Sequence, residues 1–520
     1  MAEQFDYVVI GAGSAGCILA NRLSADPGVT VALVEAGGRD RKLEIKLPAA
    51  FPKLFHTPFD WDLYTAPQKE LDARELYWPR GKTWGGSSSL NAQMWVRGAQ
   101  ADYDAWGDGW SYAEVLPYFR RAEHRVGSNT DSIYGTDGPL YIEELRSPNP
   151  LRSVFFEACA EAGFRRLPEL NAAGIDGYGP TPVTQHRGRR WSTADGYLRP
   201  ALKRPNLTVL SDAHARRILL SDGRATGLEY SDPKGGIQRL TARREILLAA
   251  GAVHSPHLLQ VSGIGDPDVL KVAGIETLVD SPEVGANLQD HLSAVVIMHC
   301  PEPITLVAAE RPAELVKFLT TRRGMLTSNV GEAVTFARSD PSLTVPDLEF
   351  IFAPVPFMDH GQTDPPGHGL TIGAILLQPE SRGAITAVSA DPLAAPHIEP
   401  NYLSDPRDLA ILVNGVEQCQ ALFGSAAMAP HVSAPMRPGP GETDMTAYVR
   451  AHAETLYHPS GTCRMGADAD SVVDLELRVR GVEGLRVVDA SVMPRIIRGH
   501  THAPTVMIAE KAADLIRAAR

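Results

Sequence analysis

The first thirty-five residues contain apolar segments of two kinds. Two have the continuous apolar pattern of a buried strand, and the one between them has the spacing of a helix. Residues 5–10 form an apolar run rich in β-branched side chains, which predicts a buried strand. After a glycine cluster, residues 17–24 read as an amphipathic helix, and residues 30–34 form another short β-branched run. Strand, helix and strand in this order predict a βαβ unit of an α/β fold with a parallel sheet.

Two later segments predict further strands of the same buried type. Residues 246–251 run from aliphatic side chains into a glycine turn, and residues 485–489 form a similar run. Near the end of the chain, apolar side chains at helical spacing predict a helix, and these are Val506, Met507, Ala509, Ala513 and Ile516. Pro504 fits the first turn of that helix. Backbone N–H groups in a first turn have no acceptor within the helix, so the N–H that proline lacks costs no hydrogen bond.

The long middle of the chain has a different pattern. Within residues 296–456, apolar and polar positions alternate over 370–377 and 384–388, and residues 354–366 form a proline-rich loop. Alternation is typical of antiparallel strands with one face on a core. The pattern therefore predicts an antiparallel sheet covered by helices in this region.

Composition and charge exclude several classes of protein. The 520 residues carry a net charge of −12, with 44% apolar and 22% charged side chains, the balance of an ordinary globular protein. The acidic balance argues against a nucleic-acid partner. No apolar run reaches the roughly 18–20 residues of a membrane helix, so we expect no membrane span. The amino terminus has no signal-peptide pattern, and the five scattered cysteines form no CxxC pair, so we expect a cytoplasmic protein.

The glycine cluster carries the first candidate chemistry. Gly11, Gly13 and Gly16 form a GxGxxG motif between the first strand and the helix. Such glycines allow a tight turn, let a pyrophosphate approach the backbone, and let helix and strand pack closely. Glu35 follows about 20 residues later, where a carboxylate accepts the hydroxyls of a ribose. The motif predicts a dinucleotide site and leaves NAD and FAD both open.

A second small-residue segment lies between residues 80 and 91. Its small residues at 85–89 allow backbone N–H groups to face a flat or anionic ligand, and Asn91 adds a neutral donor and acceptor. Flexible linkers seldom carry the flanking residues Arg80, Trp84, Trp95 and Arg97. The segment therefore favours a ligand contact over a linker.

These motifs and several others, in this order, resemble the glucose–methanol–choline (GMC) flavoprotein oxidoreductases. The similar segments are 81–91, 110–119, 251–265, 287–291 and 457–463. The resemblance extends from residue 6 to about residue 518, and it is nearest to the bacterial choline-dehydrogenase-like branch. It implies a Rossmann-like FAD-binding domain with a substrate domain built on an antiparallel sheet.

The resemblance also implies which residues contact the cofactor. The residues expected at FAD are Gly11, Gly13, Ser14, Ala15, Glu35, Ala36, Gly81, Gly86, Ser87, Asn91, Ala92, Ala215, Asp489, Ala490 and Thr505. Ala215 corresponds to a residue whose backbone touches adenine. Some relatives carry a histidine joined covalently to the flavin at the position of Leu90, and leucine cannot form that bond. We therefore expect non-covalent FAD.

By the same resemblance, the FAD-binding domain is discontinuous. We expect it to comprise residues 1–150, 200–295 and 457–520. The substrate domain would comprise residues 151–199 and 296–456.

The catalytic motif of the family falls on His458, which precedes a turn-forming sequence. The second active-site position, His or Asn in relatives, is assigned to His502. With these residues the resemblance implies oxidation of an alcohol, in which an imidazole takes the hydroxyl proton and hydride passes to flavin N5. A metal site at His500 and His502 is disfavoured because no third ligand is spaced nearby, so we predict no metal.

The electron acceptor and the alcohol stay open at this point. A dehydrogenase would pass electrons to a quinone-type acceptor, and an oxidase would pass them to O2 and release H2O2. A non-redox hydroxynitrile-lyase-like flavoprotein is a further alternative. Phe352, Pro356, Phe357 and Met358 suggest an apolar substrate pocket, although an ordinary core explains them equally well. Glu332 could attract a cationic substrate, but choline is not inferred from it.

Overall fold

A computed structural model describes residues 3–127, 133–172, 174–363 and 367–519 of the protein. Its α-helices are Ser14–Leu23, Leu43–Lys46, Gln100–Asp104, Tyr112–Ala122, Leu151–Glu161, Arg199–Ala201, Gly251–Val261, Pro267–Val272, Pro312–Thr321, Pro406–Phe423, Met445–His452 and His502–Ala518. The strands form two seven-stranded sheets and five two-stranded pairs. The paired strands are Leu63–Tyr64 with Tyr77–Trp78, Glu123–Arg125 with Leu140–Ile142, Gln185–His186 with Arg189–Arg190, Ile264–Gly265 with Val279–Asp280, and Ala384–Thr386 with His397–Glu399.

The first sheet contains the predicted βαβ unit. Its strands run in the order Leu207–Leu210, Val31–Val34, Glu3–Ile10, Ile237–Leu248, Arg224–Ser231 and His214–Ser221, with Leu485–Val487 also paired to Ile237–Leu248. The first four strands and Leu485–Val487 are parallel to one another. The last two strands form an antiparallel hairpin, which pairs antiparallel with Ile237–Leu248. The predicted parallel sheet is thus present.

The strand order reverses beside Glu3–Ile10. The next strand along the chain, Val31–Val34, pairs with one edge of Glu3–Ile10. The later strand Ile237–Leu248 pairs with its other edge. In open α/β sheets, ligands bind outside the carboxyl ends of the strands at such a reversal. Gly11 and Ala249 lie at this point, where the Ala249 N–H donates to the Ile10 carbonyl over 2.8 Å.

The second sheet is antiparallel, as the alternating pattern predicts. Its strands run in the order Pro435–Arg437, Leu292–His299, Gly369–Leu376, Leu348–Ala353, Ala333–Ala337 and Gly177–Pro180, with Glu454–Thr455 also paired to Leu292–His299. The expectation for residues 384–388 is wrong in one respect, because Ala384–Thr386 pairs with His397–Glu399 outside this sheet. In the proline-rich loop 354–366, residues 364–366 lie outside the described residues.

The last helix packs against the first. Glu510 on helix His502–Ala518 is fully buried and pairs with Arg22 of helix Ser14–Leu23, with 2.6 Å between Nη2 and Oε1. Arg121 and the Tyr197 hydroxyl also donate to this carboxylate. Removing a partner of a buried carboxylate is strongly destabilising, so these contacts hold the two ends of the chain together.

The expected domain limits remain a prediction. The predicted limit between residues 295 and 296 falls inside strand Leu292–His299, so the chain passes into the second sheet slightly earlier than expected. Within the described ranges, no helix is both long enough and apolar enough to cross a membrane.

Candidate active site

A deep cavity opens at the carboxyl ends of the first sheet and extends to the second sheet. It contains about 2520 Å³ of space not filled by protein atoms, part of it open to solvent. Its wall extends from the glycine loop of the first sheet to residues of the second sheet, such as Ile351 and Thr371, which suits an extended dinucleotide together with a substrate. Its wall includes His458, His502, Gly11, Gly13, Ser14, Ala15, Glu35, Ala36, Gly81, Gly86, Ser87, Asn91, Ala92, Ala215, Asp489, Ala490 and Thr505. All the predicted site residues therefore face one cavity, while the role of each stays a prediction.

The glycine loop is shaped by close backbone contacts. A Cβ atom on Gly16 would lie 1.8 Å from the Gly11 carbonyl oxygen, so any side chain there would push the helix away from the strand. A Cβ atom on Gly86 would lie 2.7 Å from the Cα of Gly13, and Gly86 has a positive φ of 50°. The Gly85 N–H also donates to the Ala12 carbonyl over 2.7 Å. The two glycine-rich segments are therefore packed against each other at the cavity wall.

Three helices begin at the cavity wall. Their first residues are Ser14, Gly251 and His502, and none of the three helices has a side-chain N-cap hydrogen bond. Such helix starts present backbone N–H groups and a partial positive charge, which suit anionic groups. At the helix that begins at Gly251, the first N–H is already bonded to the Asp489 carboxylate. A Cβ atom on Gly251 would meet no atom within 4 Å, so an open space lies over that helix start. Such a cradle fits a phosphorylated cofactor with a flat ring.

Two carboxylates shape the same region. The Glu35 carboxylate accepts the N–H groups of Ala12 and Gly37 over 2.7 and 2.8 Å, one on each oxygen. Each oxygen keeps a lone pair for a ribose hydroxyl. Burial raises the pKa of Glu35 to about 7.

The Asp489 carboxylate accepts the Gly251 N–H over 2.8 Å and the Ser255 hydroxyl over 2.6 Å. Burial raises its pKa as well. Asp489 therefore fixes the start of helix Gly251–Val261 through its side chain.

His458 lies on an irregular segment that is anchored on both sides. Its main-chain N–H donates to the Asp290 carboxylate over 2.6 Å. The preceding residue, Tyr457, has a positive φ of 69°, and its carbonyl accepts from the Arg80 guanidinium over 2.9 Å. These contacts turn the His458 side chain towards the cavity that it lines.

The ring nitrogens of His458 have separate roles. The Nδ1 atoms of His458 and His291 are 2.9 Å apart, and His291 Nε2 lies 2.9 Å from the Leu377 carbonyl oxygen. A carbonyl can only accept, so the proton of neutral His291 is on Nε2 and its Nδ1 accepts the His458 Nδ1–H. His458 Nε2 therefore holds a free lone pair. Burial lowers the pKa of His458 well below its ordinary value and that of His291 to about 3, so both rings are neutral.

The structure brings His500, rather than His502, to the catalytic candidate. The ring centroids of His458 and His500 are 5.1 Å apart, and His500 Nε2 lies 2.9 Å from the buried Glu349 carboxylate. His502 instead has its Nδ1 3.2 Å from the Ser14 hydroxyl, at the start of the first helix. Its Nε2 is buried without a hydrogen-bond partner in the described part of the chain, and burial lowers its pKa to about 4.

Sequence reasoning did not identify His291 and His500 as neighbours of His458. His291 belongs to the 287–291 motif, which supported the resemblance without any assigned chemistry. His500 was considered only as a metal ligand together with His502. The spacing of two residues at a helix start does not decide which imidazole lies beside His458.

The candidate substrate residues separate into two groups. Phe357 lines the cavity, whereas Phe352 is fully buried and stacks on Phe155 with ring centroids 4.9 Å apart. Glu332 is also fully buried, and its carboxylate accepts the Asn149 N–H and the Ser328 hydroxyl. Phe352 is therefore a core residue, and Glu332 is a structural carboxylate.

The glycine loop, the three helix starts and the histidine pair together define a dinucleotide-dependent oxidoreductase. The buried, unpartnered Nε2 of His502 and the open space over Gly251 both fit a bound ring system with polar edges. Comparison with known proteins specifies the class. Two models of the GMC oxidoreductase family match residues 5–293 and 379–509. The chain belongs to the GMC oxidoreductase family, and its cofactor is FAD.

Relatives and solved structures agree with this assignment. The chain is 51% identical to an uncharacterized GMC-type oxidoreductase of Mycobacterium tuberculosis (99% of this chain, 100% of the relative). It is 43% identical to an alcohol dehydrogenase [acceptor] of Pseudomonas putida (98% and 95%), and 41% identical to an oxygen-dependent choline dehydrogenase of Brucella anthropi (98% and 95%). The crystal structure of pyridoxine 4-oxidase from Mesorbium loti superimposes with a TM-score of 0.90 at 32% identity, covering 98% of both chains.

Proposed function

We propose that the protein oxidises an uncharged primary alcohol to the aldehyde, with His458 as the general base. The observation that carries the proposal is the hydrogen-bonded series from His458 through His291 to the Leu377 carbonyl. It leaves the lone pair of His458 Nε2 for the proton of a substrate hydroxyl. Bound FAD supplies the hydride acceptor for this chemistry.

In this proposal the two cavity histidines divide the work. His458 is neutral because its pKa is lowered, so it accepts the hydroxyl proton without first losing one of its own. The Glu349 carboxylate holds the His500 ring through Nε2 and so fixes this ring beside His458. His500 therefore replaces His502 as the second histidine of the proposed catalytic pair. The contact of His502 with Ser14 favours a cofactor-side position instead.

The wall beyond the histidines supports an uncharged substrate with an apolar body. Its aromatic side chains are Phe51, Phe55, Phe357 and Tyr457. The carboxylates at this end already have partners, Asp359 with Arg437, and Glu454 with Arg74 and His360. In the described part of the wall, no unpaired carboxylate is left to balance a quaternary ammonium, so we favour alkyl or aryl alcohols over choline.

Anaerobic reduction of the flavin tests the proposal. The holoenzyme is mixed with a panel of aliphatic, aryl and quaternary-ammonium alcohols, and the loss of flavin absorbance is followed. Uncharged alcohols should reduce the flavin, and His458→Ala should slow this by about 10²–10⁴-fold. His397→Ala, which replaces an exposed histidine on a short strand outside the cavity, is the matched control. Equal rates for His458→Ala and wild type would rule out His458 as the base.

The acceptor is tested separately. The 43% identity with the Pseudomonas putida alcohol dehydrogenase [acceptor] supports a dehydrogenase that passes electrons to a separate acceptor, and we propose a quinone-type one. Oxygen uptake with release of H2O2 during alcohol turnover would instead identify an oxidase. If no alcohol reduces the flavin, the hydroxynitrile-lyase-like alternative becomes the preferred one.

A further inference from the structure

Helix Pro312–Thr321 presents its apolar stripe to solvent. Apolar residues at positions 312, 315, 316 and 319 follow the spacing that normally faces a core. Leu315, Val316 and Leu319 are 37%, 60% and 49% exposed. On this helix only Phe318 is buried. Contiguous exposed apolar side chains of this kind mark interaction sites.

Basic side chains collect at the carboxyl end of this helix. Arg322 lies over the Phe318 ring at 5.0 Å, and the Arg323 guanidinium donates to the Arg146 carbonyl. A Cβ atom on Gly188, the residue before Arg189, would lie 2.7 Å from the Arg322 carbonyl oxygen and 3.3 Å from Arg146 Cδ, so these three segments meet here. Desolvation and then the positive charge of Arg189 lower the pKa of Arg322. The cluster therefore consists of Arg146, Arg189, Arg322 and Arg323.

Acidic side chains near the helix already form ion pairs or hydrogen bonds. Glu310 pairs with Lys53 over 2.6 Å, and Glu314 lies 3.6 Å from Lys317 and accepts the Met325 N–H. Across the described ranges, no carboxylate lies within ion-pair distance of the four clustered arginines. This face is thus locally basic on a chain whose net charge is −12.

We propose that helix Pro312–Thr321 and the adjoining arginine cluster bind the surface of an anionic lipid bilayer. Interfacial helices bury an apolar face at the acyl boundary while their cations contact anionic headgroups. A second copy of the chain fits less well, because a two-fold interface would place the same basic cluster close to itself. A lipid surface satisfies the apolar stripe and the cluster together.

The proposed lipid-binding face lies next to the part of the cavity that we assign to the substrate. On the opposite side of the helix, Phe318 packs with Leu47 and Ala50 in one small apolar cluster. The neighbouring residue Phe51 lines the cavity. If the proposed function holds, an apolar alcohol or a quinone dissolved in the bilayer would reach the protein at this side. The lipid contact itself is independent of turnover.

Vesicle co-sedimentation of the FAD-loaded full chain tests the proposal. The probes are vesicles of phosphatidylcholine alone and of phosphatidylcholine mixed with phosphatidylglycerol. Binding should require phosphatidylglycerol and weaken as salt is added. The variant Leu315→Ser/Val316→Ser/Leu319→Ser should bind more than about 10-fold more weakly. The control Val272→Ser/Leu278→Ser removes apolar side chains that are 89% and 55% exposed elsewhere, and it should bind like wild type.

A variant that lacks two of the arginines distinguishes the contribution of the positive charges from that of the apolar side chains. Arg322→Gln/Arg323→Gln should weaken binding roughly 25-fold, at about 5-fold for each arginine near an anionic surface. Unchanged flavin absorbance and melting temperature show that each variant is folded. Absence of vesicle binding by the wild type would overturn the proposal. So would a dimer in solution that the triple serine variant abolishes, because that result would assign the face to self-association.

Discussion

The Asp290 carboxylate accepts the main-chain N–H of His458 over 2.6 Å, and the next residue, His291, accepts the side-chain proton of the same histidine. Asp290 is buried and also accepts the hydroxyl groups of Thr455 and Tyr402. Two consecutive residues therefore fix the backbone and the ring of the proposed base.

Replacing His291 should slow flavin reduction without removing the flavin. His291→Phe leaves the His458 Nδ1–H without an acceptor, so the ring is no longer held with Nε2 unprotonated. We expect at least a roughly 10-fold slower reduction in rapid mixing, as part of the about 10²–10⁴-fold that a general base contributes. His291→Gln, whose amide oxygen can accept the same proton, should recover part of the rate. Equal rates for the two variants would indicate that His291 is only a packing residue.

The two histidines at the last helix should respond differently to substitution. His500→Ala should reduce the rate of flavin reduction by alcohol, because His500 lies against His458. His502→Ala should chiefly weaken FAD binding, because its ring contacts Ser14 at the start of the first helix. Flavin content after gel filtration and anaerobic reduction rates separate the two effects. The reverse result would restore His502 as the second catalytic residue.

The rate of flavin reduction should show no inflection near the ordinary histidine pKa of about 6.5. A base with a lowered pKa stays unprotonated to more acidic pH, so activity is lost only as pH falls through that lower value. Stopped-flow reduction at saturating alcohol measures this. Burial raises the pKa of Asp290 to about 6, so its protonation could also change the rate in acid. A loss of activity that persists in Asp290→Asn, centred near pH 6.5, would contradict the assignment to His458.

The contact of Gly16 with the first strand predicts a large effect of a single methyl group. Gly16→Ala would place a Cβ atom 1.8 Å from the Gly11 carbonyl oxygen, so helix and strand must separate. We expect a loss of at least about 3 kcal/mol of stability and most of the bound FAD. Gly235→Ala is the matched control, since Gly235 has a positive φ of 81° but no atom within 4 Å of its Cβ position. Its cost should stay at about 1–2 kcal/mol, with normal flavin content.

Local features of the site could be predicted from the sequence, and contacts between distant segments could not. The glycine loop depends on close contacts between residues a few positions apart. The spacing of Gly11, Gly13 and Gly16 therefore predicts the tight turn between the first strand and the first helix. The path from His458 to His291 and Leu377 joins three segments that only the folded sheets bring together. Periodicity contains no information about such a path.

The second histidine illustrates the same limit at a smaller scale. His500 and His502 are two residues apart, and both line the cavity. Their surroundings differ because the helix begins at His502, which directs that ring towards Ser14, while His500 precedes the helix and meets Glu349. A rotation of the chain at one helix start, set by tertiary packing, decides which histidine is beside His458.

The packing of helix His502–Ala518 on helix Ser14–Leu23 has a consequence for biosynthesis. The cavity wall needs Gly11 and Glu35 from the beginning of the chain, and His502 and Thr505 from near its end. A ribosome translating this chain exposes the glycine loop long before residues 502–518 exist. We therefore expect stable capture of the flavin to follow translation of that helix, because a nascent chain stalled before it would have an incomplete cavity wall.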